Sequence, residues 1–153
     1  MKHNIIQYLS LTRKKGLPII IERLFLKKTS IILDFEDSSK NIFDEKKTDN
    51  LKDKCRDTFD FLSKQKFNNK YSFFVRINDE STKYYTEDIK CIKRGIDQNF
   101  NIKGIFLPKT ENFDVVDNLN SKLNLQKKNI FVVPIIETRK GIKNLKKILL
   151  DDK

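Results

Sequence analysis

The sequence predicts an α/β fold in which helices cover a mostly parallel sheet, and three observations carry that expectation. Short apolar blocks alternate five times with stretches of helical periodicity along the 153 residues, a βα repeat that calls for parallel strands joined by helices. The repeat averages about 31 residues, the spacing of a (β/α)8 TIM barrel, in which roughly 250 residues form eight units. The apolar blocks also end alike, in charged or amide residues, and in parallel α/β sheets such strand ends share the face where sites are built. The chain therefore reads as a partial TIM barrel of about five βα units, a single truncated domain over residues 1–153.

Residues 4–11 (NIIQYLSL) read as the first strand, and 12–18 (TRKKGLP) as a basic loop. Pro18 suits the first turn of a helix, and Ile20, Ile21, Leu24 and Phe25 give its stripe through Lys28. Residues 30–37 (SIILDFED) form the second strand, where β-branched Ile31 and Ile32 run into Asp34, Glu36 and Asp37. Residues 37–48 are polar and read as irregular. Leu51, Cys55, Phe59 and Leu62 then mark the second helix. Asn68 and Asn69 signal a turn before the third strand, 71–78 (YSFFVRIN). Tyr85, Ile89, Ile92 and Ile96 mark the third helix, with Gly95 and Asn99 at its expected stop. The fourth strand is 102–109 (IKGIFLPK), with Glu111 beyond it, and Phe113, Val116, Leu119 and Leu123 mark the fourth helix. Residues 126–128 lead into the fifth strand, 129–137 (NIFVVPIIE), where Pro134 removes a ladder donor and implies an edge, a bulge or a barrel position. Ile142, Leu145, Ile148 and Leu149 predict one last helix.

Composition narrows the function classes. Lys and Arg number 32 against 21 Asp and Glu, a net charge of +11, which would suit a nucleic-acid binder. The basic residues are nevertheless spread over nearly every helix with acids between them, and no groove motif or aromatic-basic RNA-binding signature accompanies them. The charge reads as a solvated surface. Cys55 and Cys91 belong to no CxxC pair and read as buried thiols. The N-terminus lacks the apolar length of a signal peptide or membrane span, so the expected location is the cytoplasm. His3 is the only histidine and the four glycines do not cluster, so neither a nucleophile relay nor a phosphate loop is indicated.

Strand alternation points Asp34 and Glu36 one way, and likewise Arg76 and Asn78. With Glu137 turned inward beside Val133 and Ile135, one mouth would gather carboxylates from the second and fifth strands opposite an arginine from the third. Hard oxygen ligands beside a guanidinium suit a Mg²⁺-bound carboxylate or oxoacid, the metal polarising a carbonyl and stabilising an enolate. The alternatives are structural: Asp34, Glu36 and Asp37 as loop acids or caps, Arg76 as their ion-pair partner, and Glu137-Thr138 as a cap of the last helix.

The segments 32–37 (ILDFED), 75–78 (VRIN), 107–111 (LPKTE) and 136–141 (IETRKG) resemble, in order and spacing, those of the HpcH/HpaI aldolase and citrate lyase β-subunit family. The resemblance implies a TIM-barrel carbon–carbon lyase working through a Mg²⁺-stabilised enolate of a CoA thioester or 2-oxo acid. It further implies that Glu137 ligates Mg²⁺, that Arg76 holds the substrate carboxylate or carbonyl, and that Glu36 and Asp37 support the metal. The family's second metal ligand, an aspartate in a later Gly-x-x-Asp segment, has no counterpart before Lys153. Arg139 and Lys140 stand where a small residue usually follows Glu-Thr, and residues 12–18 replace the family's usual first loop. The expected partners are a small carboxylate or CoA-thioester substrate and a C-terminal half-barrel fragment or further copies of the chain. The other reading is a non-catalytic binding or scaffold remnant whose charged residues only brace the mouth.

Overall fold

The computed structural model of the chain describes residues 5–65, 67 and 71–149. Five strands, β1 (Ile6–Ser10), β2 (Ser30–Asp34), β3 (Phe73–Arg76), β4 (Ile102–Leu107) and β5 (Phe131–Pro134), alternate with helices α1 (Leu17–Leu26), α2 (Glu45–Ser63), α3 (Tyr85–Asp97), α4 (Phe113–Leu123), α5 (Arg139–Lys143) and α6 (Leu145–Leu149). All neighbouring strands pair in parallel, and their spatial order is their chain order. This is the arrangement of successive units of a (β/α)8 barrel.

Alternation along the strands separates two faces. Ile31, Leu33, Phe73, Val75, Ile105 and Leu107 turn toward the helices and form one buried core with Phe59, Leu62, Ile92 and Leu119. The opposite face carries Ile32, Asp34, Phe74, Arg76 and Phe106. It is open at its flanks, where Tyr8 is 42% and Phe131 67% exposed. Gly104 is required on that face, because a Cβ there would lie 2.9 Å from the Phe74 ring, which packs edge-on against Phe106.

Several boundaries differ from those the sequence suggests. Every strand is shorter than expected, and at the end of β2 Asp34 turns its carboxylate to the backbone N–H groups of Glu36 and Ser38, which leads the chain out of the strand. The polar stretch 37–48 is largely ordered: Asp37–Ser39 is a 3-10 turn, and α2 already begins at Glu45, capped by Asp44, which accepts from the Lys47 N–H. Gly95 lies within α3, where a Cβ would meet the Phe59 ring at 2.6 Å, and the left-handed residue past the helix is Asn99, φ 61°. The last helix is two, broken at Asn144, whose amide donates to the Glu111 carbonyl. Pro134 ends β5, an edge strand that tolerates its missing donor. Cys55 and Cys91 are buried free thiols. The turn at Asn68 and Asn69, and His3 and Asn4, fall outside the described residues. Among the described residues no helix is long and apolar enough to cross a membrane.

Candidate functional site

Asp34 and Arg76 end β2 and β3 and are register partners. Arg76 Nε and Nη2 donate to the two Asp34 oxygens, each at 2.8 Å, the fork-to-fork geometry that guanidinium and carboxylate favour. Burial alone would raise the Asp34 carboxyl, and the guanidinium outweighs it, holding the group below the usual carboxylate value. Asp34 also accepts from the Glu36 and Ser38 backbone N–H groups, which folds the next residues over the strand end. That turn carries Glu36 and Asp37 back to Arg76, whose Nη1 lies 3.1 Å from each of their carboxylates. The Tyr8 ring covers the guanidinium at 4.6 Å.

β4 and β5 complete the rim. Lys109, in a left-handed conformation (φ 49°), donates its backbone N–H to Glu137 Oε1 at 3.1 Å. Its ammonium lies 3.0 Å from Asp79 and 4.0 Å from Glu36. Glu36, Asp37, Arg76 and Glu137 thus gather at one mouth. Burial, with Asp37 and Glu137 adding repulsion, pushes the Glu36 carboxyl up to about 7. Asp34, Glu36, Asp37, Asp79 and Glu137 outnumber Arg76 and Lys109, so the mouth is acidic in a chain of net charge +11.

Arg76 and Asn78 do not face the same way. The ladder stops at Arg76, and Asn78 turns to the helices, donating to the Phe35 carbonyl and to Asp88 of α3. There it accepts from Lys52 Nζ at 2.7 Å. Lys52 is 2% exposed and also donates to the carbonyls of Phe35 and Glu36, each at 2.6 Å, so it braces the Glu36 turn from beneath. Nothing in the composition of α2 singles out Lys52. Its position does, since it falls three residues before Cys55 and seven before Phe59, on the buried stripe. Lys140 does not charge the mouth; its ammonium pairs with Glu111 at 2.9 Å, and Glu111 also accepts from the Thr138 hydroxyl. Thr138, not Glu137, caps α5, accepting from the Gly141 N–H.

The family model for HpcH/HpaI aldolase/citrate lyase matches residues 18–153. The chain belongs to this family. Among the solved structures similar to it is RipC from Yersinia pestis, at 19% identity and a TM-score of 0.63, over 96% of this chain and 52% of RipC. The fold is therefore shared, and the chain spans about half the length of RipC. No curated protein matches the sequence.

The family is generally Mg²⁺-dependent, and the acidic mouth suits that ion. Among the described residues no three Asp, Glu, His or Cys side chains converge as a ready cage. Mg²⁺ needs none, since it is commonly held by one or two carboxylates with waters and substrate oxygens. Glu36 and Glu137 offer those carboxylates at the mouth.

Proposed function

We propose that the mouth is the active site of a Mg²⁺-dependent carbon–carbon lyase acting on a 2-oxo acid or a CoA thioester. The family supports lyase-type chemistry on small carboxylate or thioester substrates. The observation that carries the finer reading is the meeting of Glu36 and Glu137, from opposite halves of the sheet, beside Arg76 and Lys109.

Mg²⁺, when bound, polarises the substrate carbonyl and stabilises enolate charge. Glu137, fixed by the Lys109 N–H, would hold it, and Glu36 and Asp37 would support it. Arg76 keeps its guanidinium in the rim through Asp34 and offers its remaining N–H groups to the substrate carboxylate or carbonyl. Lys109 supplies a second positive charge. We also propose that the chain provides five units of a larger barrel. The rest of the barrel would join at the free edges of β1 and β5.

Calorimetric titration with MgCl₂ tests the site. The chain binds Mg²⁺, and Glu137→Gln weakens binding at least about tenfold, the loss of one charged ligand. Equal binding by both proteins sinks the proposal. A second reading, a non-catalytic binding protein, has one observation in its favour: Arg76 already faces three carboxylates. On that reading Glu137→Gln changes nothing.

A further inference from the structure

Beyond Glu36, a cleft of about 390 Å³ opens between the turn that leads into α2 and the loop between β3 and α3. Glu36, Asp79 and Lys109 form the end it shares with the mouth, and Ile42, Phe43 and Tyr84 line it farther out. Phe43 is 91% exposed and Ile42 75%.

Their exposure is not that of a loose loop. Asn41 Oδ1 accepts from the Phe43 N–H at 2.9 Å, and Asn41 and Thr48 bond reciprocally, the Asn41 N–H to the Thr48 hydroxyl and that hydroxyl to the Asn41 carbonyl. Asp44 closes the segment as the cap of α2. The hydrogen bonding presents two large apolar side chains to solvent. The other exposed large apolar residues lie on β1, α1, β5, α5 and α6, or beside β1 at Ile5, the two ends of the sheet where further barrel units would cover them. Ile42 and Phe43 lie on neither end, away from the free edges of β1 and β5. Contiguous apolar residues displayed in this way mark a ligand contact.

Of the charged groups lining the cleft, Asp79 faces Lys109, Glu45 faces Lys83, and Glu36 and Asp37 share with Asp34 the one Arg76 guanidinium, while Lys40 also lines the cleft. A ligand reaching past the mouth meets the exposed apolar side chains of Ile42 and Phe43. We propose that the cleft is the subsite for the distal part of the substrate, and that Ile42 and Phe43 select 2-oxo acids bearing a flat apolar group over pyruvate-sized ones. This rests on the reading of the mouth as a 2-oxo acid site.

Affinities of pyruvate and phenylpyruvate for the whole chain, measured calorimetrically with Mg²⁺ present, test it. Burial of a phenyl ring favours phenylpyruvate by about tenfold or more, and Phe43→Ala brings the two within about twofold by removing that burial. Because Phe43 is almost fully exposed, its truncation leaves the fold intact, which a thermal melt checks. Equal affinity of the two acids for the unaltered chain, or a preference that survives Phe43→Ala, overturns the subsite and leaves the mouth standing. Binding of neither acid overturns the subsite together with the 2-oxo acid reading.

Discussion

Asp34 and Arg76 stand directly opposite each other at the ends of two parallel strands and are joined by two hydrogen bonds of 2.8 Å. The register makes the pair, and the pair makes the mouth, because Arg76 is what Glu36 and Asp37 fold back onto. Asp34 is 1% exposed, so removing it leaves a largely buried guanidinium short of its main partner. Asp34→Ala is expected to cost about 3–5 kcal/mol, the usual penalty for breaking a buried pair from one side, read as a lower urea midpoint. A cost under about 1 kcal/mol, the level of an exposed pair, contradicts this account.

Lys52 acts on the same turn from the core side. Lys52→Met fills the space and removes the donor to Phe35, Glu36 and Asn78. Two of these acceptors keep other partners, since Asn78 donates to the Phe35 carbonyl and the Ser39 hydroxyl to that of Glu36. The main loss is the Asn78 oxygen and the strength of charged bonds, about 2–3 kcal/mol. Chemical denaturation measures it, and an unchanged midpoint would show that the cost of burying the ammonium cancels what its bonds contribute.

The fold was legible where apolar residues alternate, as in Ile31, Leu33 and Phe35, whose side chains all reach the helix-covered core. The gathering of Glu36, Arg76 and Glu137 was legible too, because parallel strands place their C-terminal ends together. Asn78 was misread because alternation holds only while the ladder continues, and it stops at Arg76. The start of α2 was hidden because residues 44–50 carry a cap but no apolar stripe. Lys52 was hidden by its charge: a lysine on a buried stripe reads as solvent until three acceptors are found around it. Asp79 gave no signal, since its role depends on Lys109, 30 positions away.

Glu36 sets a pH dependence whose sign follows from its carboxyl, raised from 4.5 to about 7 by burial and neighbouring acids. Between those values the folded protein holds a proton that the unfolded chain has released. Stability therefore falls as pH rises through this window, and the fall is complete above about 7. The melting temperature followed from pH 4.5 to 8 should decline, and Glu36→Gln should flatten the decline. Mg²⁺ should raise the melting temperature more at pH 8 than at pH 5, because only the ionised carboxylate attracts it; an equal rise at both pH values would place the cation elsewhere.

Gly95 tests how closely α2 and α3 approach. Alanine within a helix gains about 1 kcal/mol over glycine in propensity, so on local grounds Gly95→Ala should stabilise α3. The added methyl would sit 2.6 Å from Cε1 and 2.9 Å from Cζ of Phe59, itself fully buried against Phe35 and Phe100. The ring cannot move without disturbing those neighbours, and overpacking of this kind costs about 1–3 kcal/mol. Packing therefore outweighs propensity, and the variant should melt lower than the parent. Adding Phe59→Leu separates the two effects: with the ring gone, replacing Gly95 by alanine should become neutral or stabilising in that background. The double-mutant cycle then shows a coupling of about 1 kcal/mol or more between the two positions, whereas additive effects would mean that the helices do not meet at Gly95.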